Sequence, residues 1–247
     1  MYNGLLKRKD RMAIYLNPYF TTSVEGRLPI EKRGWIVSKI NELAEKLSIN
    51  RPVELIEVKG LAEIATAHGN AILPSRIGIS INPEIAAKIP EDMLEFILAH
   101  ELSHIAANDD VSTKAGATAG LVLSIVTFAM HVRFSWSSQP VKRPSTASSS
   151  VLTASLVVAA IALVLFSKWR EVCADKRALS ICSSAAKIAA PKLFEKIRSQ
   201  NLECRNDKNV SVLSSLWRKL LTTKDGNDRL DVFHPSLTYR IRYLGQM

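Results

Sequence analysis

Cysteine is scarce in this sequence, and what there is does not pair. Cys173, Cys182 and Cys204 are three in 247 residues, an odd number with no Cys-x-x-Cys spacing. That excludes a disulfide framework and reads as reduced thiols in a reducing compartment. A cleavable secretory signal is also missing, because Met1 to Arg11 runs through Lys7, Arg8 and Lys9 with no apolar stretch behind them. Aromatic residues make up 6% of the chain, and no aromatic-rich basic motif accompanies the net charge of +10. A nucleic-acid partner is therefore not expected. There is no internal repeat, and low complexity is confined to Ser145–Ser150.

Charge is itself missing from one region. Residues 115–167 hold three charged side chains, all basic. Residues 1–114 hold 14 Lys/Arg against 15 Asp/Glu, and residues 168–247 hold 16 against 8. A basic flank beside an apolar segment is the pattern of membrane orientation and anionic lipid. The chain is 47% hydrophobic, enough for a core and too much for a disordered segment.

Periodicity places the elements. Residues 1–30 read as irregular, punctuated by Pro18 and Pro29. Helical spacing of Ile36, Ile40, Leu43 and Leu47 predicts a helix over Glu31–Leu47. Val53–Val58 and Ile77–Ile81 alternate as strands, and the second is expected at a sheet edge. A short helix lies between Pro83 and Pro90, and an amphipathic helix with an acidic start covers Glu91–Ala107. Helices are further expected over Lys168–Cys182, Ala185–Ser199 and Val210–Leu221, with Asn201–Asn209 as a polar loop. Two uncharged runs, Ala115–Val132 and Ser145–Ser167, would span roughly 27 and 34 Å as helices, against a hydrocarbon core of roughly 30 Å. They read as a transmembrane helical hairpin, or else as two buried helices.

The chemistry sits on the Glu91–Ala107 helix. His100-Glu101-Leu102-Ser103-His104 sets two imidazoles one turn apart on one face, within reach of one metal ion. Glu101 is not a ligand and is free to take a proton from the attacking water and return it to the leaving amine. Zinc suits such nitrogen and oxygen ligands and keeps an open position for water. A third ligand must come from elsewhere. Glu171 and Asp175 share a face of the helix after the second apolar run, close to the expected membrane, where unpaired acid is costly. Glu171 is the candidate third ligand, and Asp175 the acceptor that orients a ligand histidine by its other ring N–H. The two also read as an ordinary surface pair beside Arg170, Lys176 and Arg177.

The combination resembles the gluzincin metallopeptidase family of HtpX and the CAAX prenyl endopeptidases. That family's pattern is Asn-Ala, a strand, an HExxH helix followed by an Asp, then ExxxD, then His-Pro with an Arg six after the His. Here it reads Asn70-Ala71, Ile77–Ile81, His100 to His104, Asp109, Glu171 to Asp175, and His234-Pro235 with Arg240. The resemblance implies zinc on His100, His104 and Glu171, Glu101 as base, and His234 and Arg240 beside the active site. It implies that His234 stabilises the oxyanion, a task for a positioned donor. Two membrane spans between HExxH and ExxxD also resemble HtpX, since an even number returns Glu171 to the side of the histidines. Three departures are visible. No hydrophobic helix precedes residue 115, Ser236 replaces a second proline after His-Pro, and Val-Cys-Ala fills the space between Glu171 and Asp175.

The expectation is therefore an α+β fold, mainly helical. A metallopeptidase domain with a small sheet, residues 1–114 and 168–247, is interrupted by a hairpin at 115–167. By resemblance, the activity is zinc-dependent hydrolysis of peptide bonds in misfolded or damaged membrane proteins. The alternatives are a CAAX-type prenyl-protein endopeptidase, whose chamber needs more membrane helices than two, and a catalytically idle metal-binding membrane protein. Lys114, Lys168, Arg170, Lys176, Arg177 and Lys187 flank the spans on the catalytic side, against Arg133, Lys142 and Arg143 between them. That bias sets the catalytic halves in the cytoplasm.

Overall fold

The computed structural model describes residues 27–59, 61, 63–69, 76–109, 146–207 and 211–247, with isolated residues between 116 and 133. Helix α1 (Ile30–Lys46) buries Ile36, Ile40 and Leu43, the stripe its spacing predicts. Strands β1 (Val53–Glu57), β2 (Ala65–His68) and β3 (Ile77–Ile81) form one sheet in the order β1-β3-β2. β1 runs parallel to β3 and β2 antiparallel to it. The expected edge position of Ile77–Ile81 is thus corrected: β3 is the central strand, and all five of its residues are buried. Ile77, Ile79 and Ile81 share one face of β3, while the small Gly78 and Ser80 occupy the other, which is also covered. β2 is the edge strand that the sequence reading lacked. Its four residues, Ala-Thr-Ala-His, are too few and too weakly apolar to announce a strand. It ends at Gly69, whose φ of +83° brings the chain so close to Arg76 that a Cβ would meet the Arg76 carbonyl at 2.5 Å.

Asn82 caps the short helix α2 (Pro83–Ala86), its side chain accepting from the backbone N–H of Glu84 and Ile85. Helix α3 (Glu91–Ala106) starts behind Pro90 with Glu91 and Asp92 in its first turn, where acid complements the helix dipole. Leu94, Leu98, Leu102 and Ile105 are essentially inaccessible, so α3 is the central beam of the core. Helix α4 (Thr146–Ile181) and helix α5 (Ser184–Asn206) both pack against it. Glu95, buried in α3, accepts from the backbone N–H and the hydroxyl of Ser183 at 2.8 and 3.0 Å. That contact fastens the start of α5 to the beam. Helix α5 runs to Asn206, through much of the stretch expected as a polar loop. Helices α6 (Val212–Leu221) and α7 (Leu237–Leu244) follow, and α7 packs on α5.

The transmembrane hairpin expected over 115–167 is not found. Among the described residues, no helix is long and apolar enough to cross a membrane. Most of Ala115–Val132, and Asn70-Ala71, lie outside the described residues. The second apolar run is not a separate element, because it continues without a break into the helix that carries Glu171. Backbone hydrogen bonding ignores the change from apolar to charged side chains at Lys168, so composition could not locate an end there.

Candidate active site

Two helices and a loop meet at one cleft. The turn spacing of α3 points His100 and His104 the same way, with ring centroids 4.7 Å apart. Their Nε2 atoms lie 3.1 Å apart. From α4, Glu171 approaches both: Oε2 is 3.3 Å from His100 Nε2, and Oε1 is 3.2 Å from His104 Nε2. One ligand atom from each of the three lies within 4.8 Å of the others, a spacing that could hold a metal ion.

Each outer ring nitrogen has a carboxylate beside it. His100 Nδ1 is 2.8 Å from Asp175 Oδ1, and His104 Nδ1 is 2.6 Å from Asp109 Oδ2. A carboxylate at Nδ1 keeps a proton there and leaves Nε2 with its lone pair. The two lone pairs then face each other and a buried carboxylate whose Oε2 has no hydrogen-bond donor among the described residues. Three electron-rich groups directed at one point are unfavourable unless a cation is shared between them, a proton when no ion is bound, as the raised pKa of His100 shows, or a metal in its place. The donor set, two imidazoles and a carboxylate, fits zinc.

Burial and charge compete at each group. Burial alone would lower the pKa of His100, but the Asp175 and Glu171 carboxylates outweigh it and raise it to about 10. Burial would likewise raise Glu171, yet the two histidines hold it well below the usual carboxylate range. Asp175 is fully buried and also held low, chiefly by the Arg240 guanidinium against the cost of burial. Arg240 Nε donates to Asp175 Oδ2 at 2.9 Å, its Nη2 donates to Oδ1, and the Tyr243 hydroxyl donates to the same carboxylate. Arg240 also lies 4.0 Å from Glu171 Oε2 and stacks over Phe194 at 4.1 Å. Helix α7 thus braces the outer side of the site.

Glu101 points to the other side. Its Oε2 accepts the Ala67 backbone N–H at 2.7 Å, so edge strand β2 orients it. Burial raises its pKa. His234 reaches the cleft from the loop before α7, with Nε2 3.7 Å from Glu171 Oε2. Asp231 accepts from His234 Nδ1 at 2.6 Å and from its backbone N–H at 3.2 Å. That hydrogen bond, ahead of the opposing cost of burial, raises the His234 pKa.

Cavities of about 350 and 330 Å³ flank this cluster, and His100, Glu101, Glu171 and His234 line both. The first is also lined by Thr66, Ala67 and Arg170, the second by Phe96, Ile97, Leu193 and Phe194. Together they make a cleft crossing the cluster, with β2 along one wall. The profile of peptidase family M48 matches residues 31–247. The chain belongs to peptidase family M48. Within it the chain is HtpX-like. It is 31% identical over 119 residues to Protease HtpX homolog 1 of Sulfurisphaera tokodaii, a match covering 47% of this chain and 36% of that protein. It is 22% identical over 229 residues to the Protease HtpX homolog of Aquifex aeolicus, covering 89% and 74%. No solved structure matches the chain significantly.

The structure brings His100, Glu101, His104, Glu171, Asp175, His234 and Arg240 together around one cleft. Sequence reasoning did not assign four further participants. Asp109 and Asp231 each grip a histidine, Tyr243 shares Asp175, and the Ala67 N–H holds Glu101. Asp231 stands three before His234, a spacing that suits a turn contact but is too common to read alone. The Ala67 amide left no signal, since a backbone group has no sequence identity.

Proposed function

We propose that this M48 peptidase is a zinc-dependent endopeptidase that acts on membrane proteins in the manner of HtpX. The observation that carries the metal is the pair of His100 and His104 Nε2 atoms, 3.1 Å apart and facing Glu171, with both Nδ1 atoms taken by carboxylates. His100, His104 and Glu171 would hold the ion. When bound, zinc supplies a Lewis acid and makes water nucleophilic at neutral pH.

The chain's own groups supply the rest. Glu101, steadied by the Ala67 N–H and with its pKa raised by burial, is suited to take the proton of the attacking water and hand it to the leaving amine. His234, its Nδ1 fixed by Asp231 and its pKa raised by that bond, presents Nε2 to the cleft, where the protonated ring is a donor for the oxyanion. Ala67 bonds away from β3, so the outer edge of β2 borders the cleft. An extended peptide added to that edge would lie across the cluster, a common docking mode.

Membrane placement rests on α4. Val157, Val158, Ile161, Leu165 and Phe166 all stand exposed before the charged stretch begins. Such a surface is unfavourable in water and suited to lipid. The catalytic halves would face the cytoplasm, as the basic flanks suggest.

Glu101→Gln tests the reading, because it keeps size and leaves every ligand in place. Zinc content should stay at wild type while hydrolysis of an unfolded protein in detergent falls by a factor on the order of 100 or more. Equal activity of the two proteins would refute Glu101 as base.

A further inference from the structure

Helix α6 is built inside out. At 100° per residue, Val212, Leu213, Leu216, Trp217 and Leu220 fall within one arc of about 140°. These five are between 54% and 87% exposed, and no residue of the helix is buried. Its polar side faces the protein. Arg218 donates to the Cys204 carbonyl and to Asp207 Oδ2, both at 2.9 Å. From α5, Arg205 donates to the Lys219 carbonyl at 2.8 Å and to that of Thr222. The helix is thus pinned by its polar back, with its apolar front turned outward.

We propose that α6 seats this front in the surface of an anionic bilayer. Charge selects that occupant. Residues 187–224 carry nine Lys/Arg against three Asp/Glu; Arg198 and Arg218 pair with Glu195 and Asp207, which still leaves a basic excess in the stretch around a helix that itself has no acid. A second copy would bring this basic excess against its own like charge, whereas anionic headgroups complement it. Trp217 at the flank of the apolar arc matches the preference of tryptophan for the headgroup boundary. An amphipathic helix with a basic polar face lies in that plane rather than across it. Leu221, the last residue of α6, and Thr222 after it line the cleft. Docking α6 would hold the cleft beside the headgroups and favour cleavage of chain emerging next to the bilayer.

The test reads α6 itself, in the full chain reconstituted into vesicles. With Trp35, Trp136 and Trp169 replaced by Phe, Trp217 is the single reporter. In phosphatidylglycerol-containing vesicles its emission should shift to the blue and be largely lost to lipids brominated on the acyl chain. Quenching should weaken in pure phosphatidylcholine and in Lys219→Glu. In the unaltered chain, amide exchange across 212–221 should slow on the anionic vesicles. Unquenched Trp217 together with unchanged exchange would overturn the proposal. So would a blue shift in lipid-free detergent that grows with protein concentration, which would assign the face to a second copy. Leu213→Ser/Leu216→Ser/Leu220→Ser should abolish docking of 212–221 yet keep zinc content and hydrolysis of a soluble unfolded protein. Loss of zinc or hydrolysis in the wild type bears on the peptidase reading alone.

Discussion

His104 and His234 are held in the same way and placed in opposite surroundings. Each has Nδ1 2.6 Å from an aspartate, Asp109 for the first and Asp231 for the second. The His104 side chain is 14% exposed and its aspartate 10%; for His234 and Asp231 the values are 42% and 43%. His104 rides on the core helix α3, His234 on the loop before α7. A carboxylate–imidazole pair in the core has nowhere to move, so its Nε2 is fixed in advance, as a metal ligand requires. The same pair on a half-open loop can settle against whatever fills the cleft. With its pKa raised by Asp231, this ring can also carry the second proton on Nε2 that a donor to charge on substrate needs. One chemical unit thus serves binding in one place and catalysis in the other, and burial makes the difference.

The contrast can be broken most directly through the metal. His104→Ala and Glu171→Ala should each lose most of the roughly one zinc per chain expected of a single ligand set, and all hydrolysis with it. Full zinc occupancy in Glu171→Ala, read by elemental analysis, would remove Glu171 from the ligands. Next in size is the buried brace. Arg240→Ala leaves Asp175 charged and fully buried with only His100 and Tyr243 as partners. It should cost about 3–5 kcal/mol in denaturant unfolding of the metal-free protein. A loss under about 1 kcal/mol would mean that the pair is solvated like a surface one. On the exposed side, His234→Phe should keep zinc and lower kcat by roughly 100-fold or more, the effect of deleting an oxyanion donor. Zinc loss in that variant would make His234 a ligand and erase the distinction.

How far the sequence already told this story depends on whether the signal was local. The helix periodicity of α3 and the four-residue spacing of its histidines are short-range, and both could be read directly. Glu171 and Asp175 were legible as a pair on one face, although their distance from His100 is set by the packing of α4 on α3. Long-range order was less visible. Ile77–Ile81 read as a strand, but its central place depended on β2, whose Ala-Thr-Ala-His gives no periodic signal. The Ala67 amide behind Glu101 was lost with it. In α4, composition suggested a break at Lys168 that the backbone does not make. The outward front of α6 was hidden for a related reason, since its spacing fits a core-facing helix equally well and only packing shows which way it turned.

The smallest expected effect isolates the carboxylates themselves. Asp109 Oδ2 meets His104 Nδ1, while its Oδ1 lies 3.3 Å from Arg170 Nε. Asp109→Asn keeps the size and one oxygen but removes the charge that makes His104 Nε2 a stronger electron donor. Groups that bond to a ligand histidine in this way typically contribute about 10- to 100-fold to metal affinity. Asp109→Asn should therefore weaken zinc binding by that factor in competition with a chelator, and hydrolysis should recover when zinc is supplied in excess. Asp231→Asn makes the same chemical change on the exposed side. There it should leave zinc affinity unaltered and lower hydrolysis at saturating zinc, because its histidine serves substrate and not the ion. If both variants weaken zinc alike, the two carboxylate–imidazole pairs share one task and burial does not separate them. If neither does, the charge on Asp109 is spent on Arg170, and His104 binds the ion unaided.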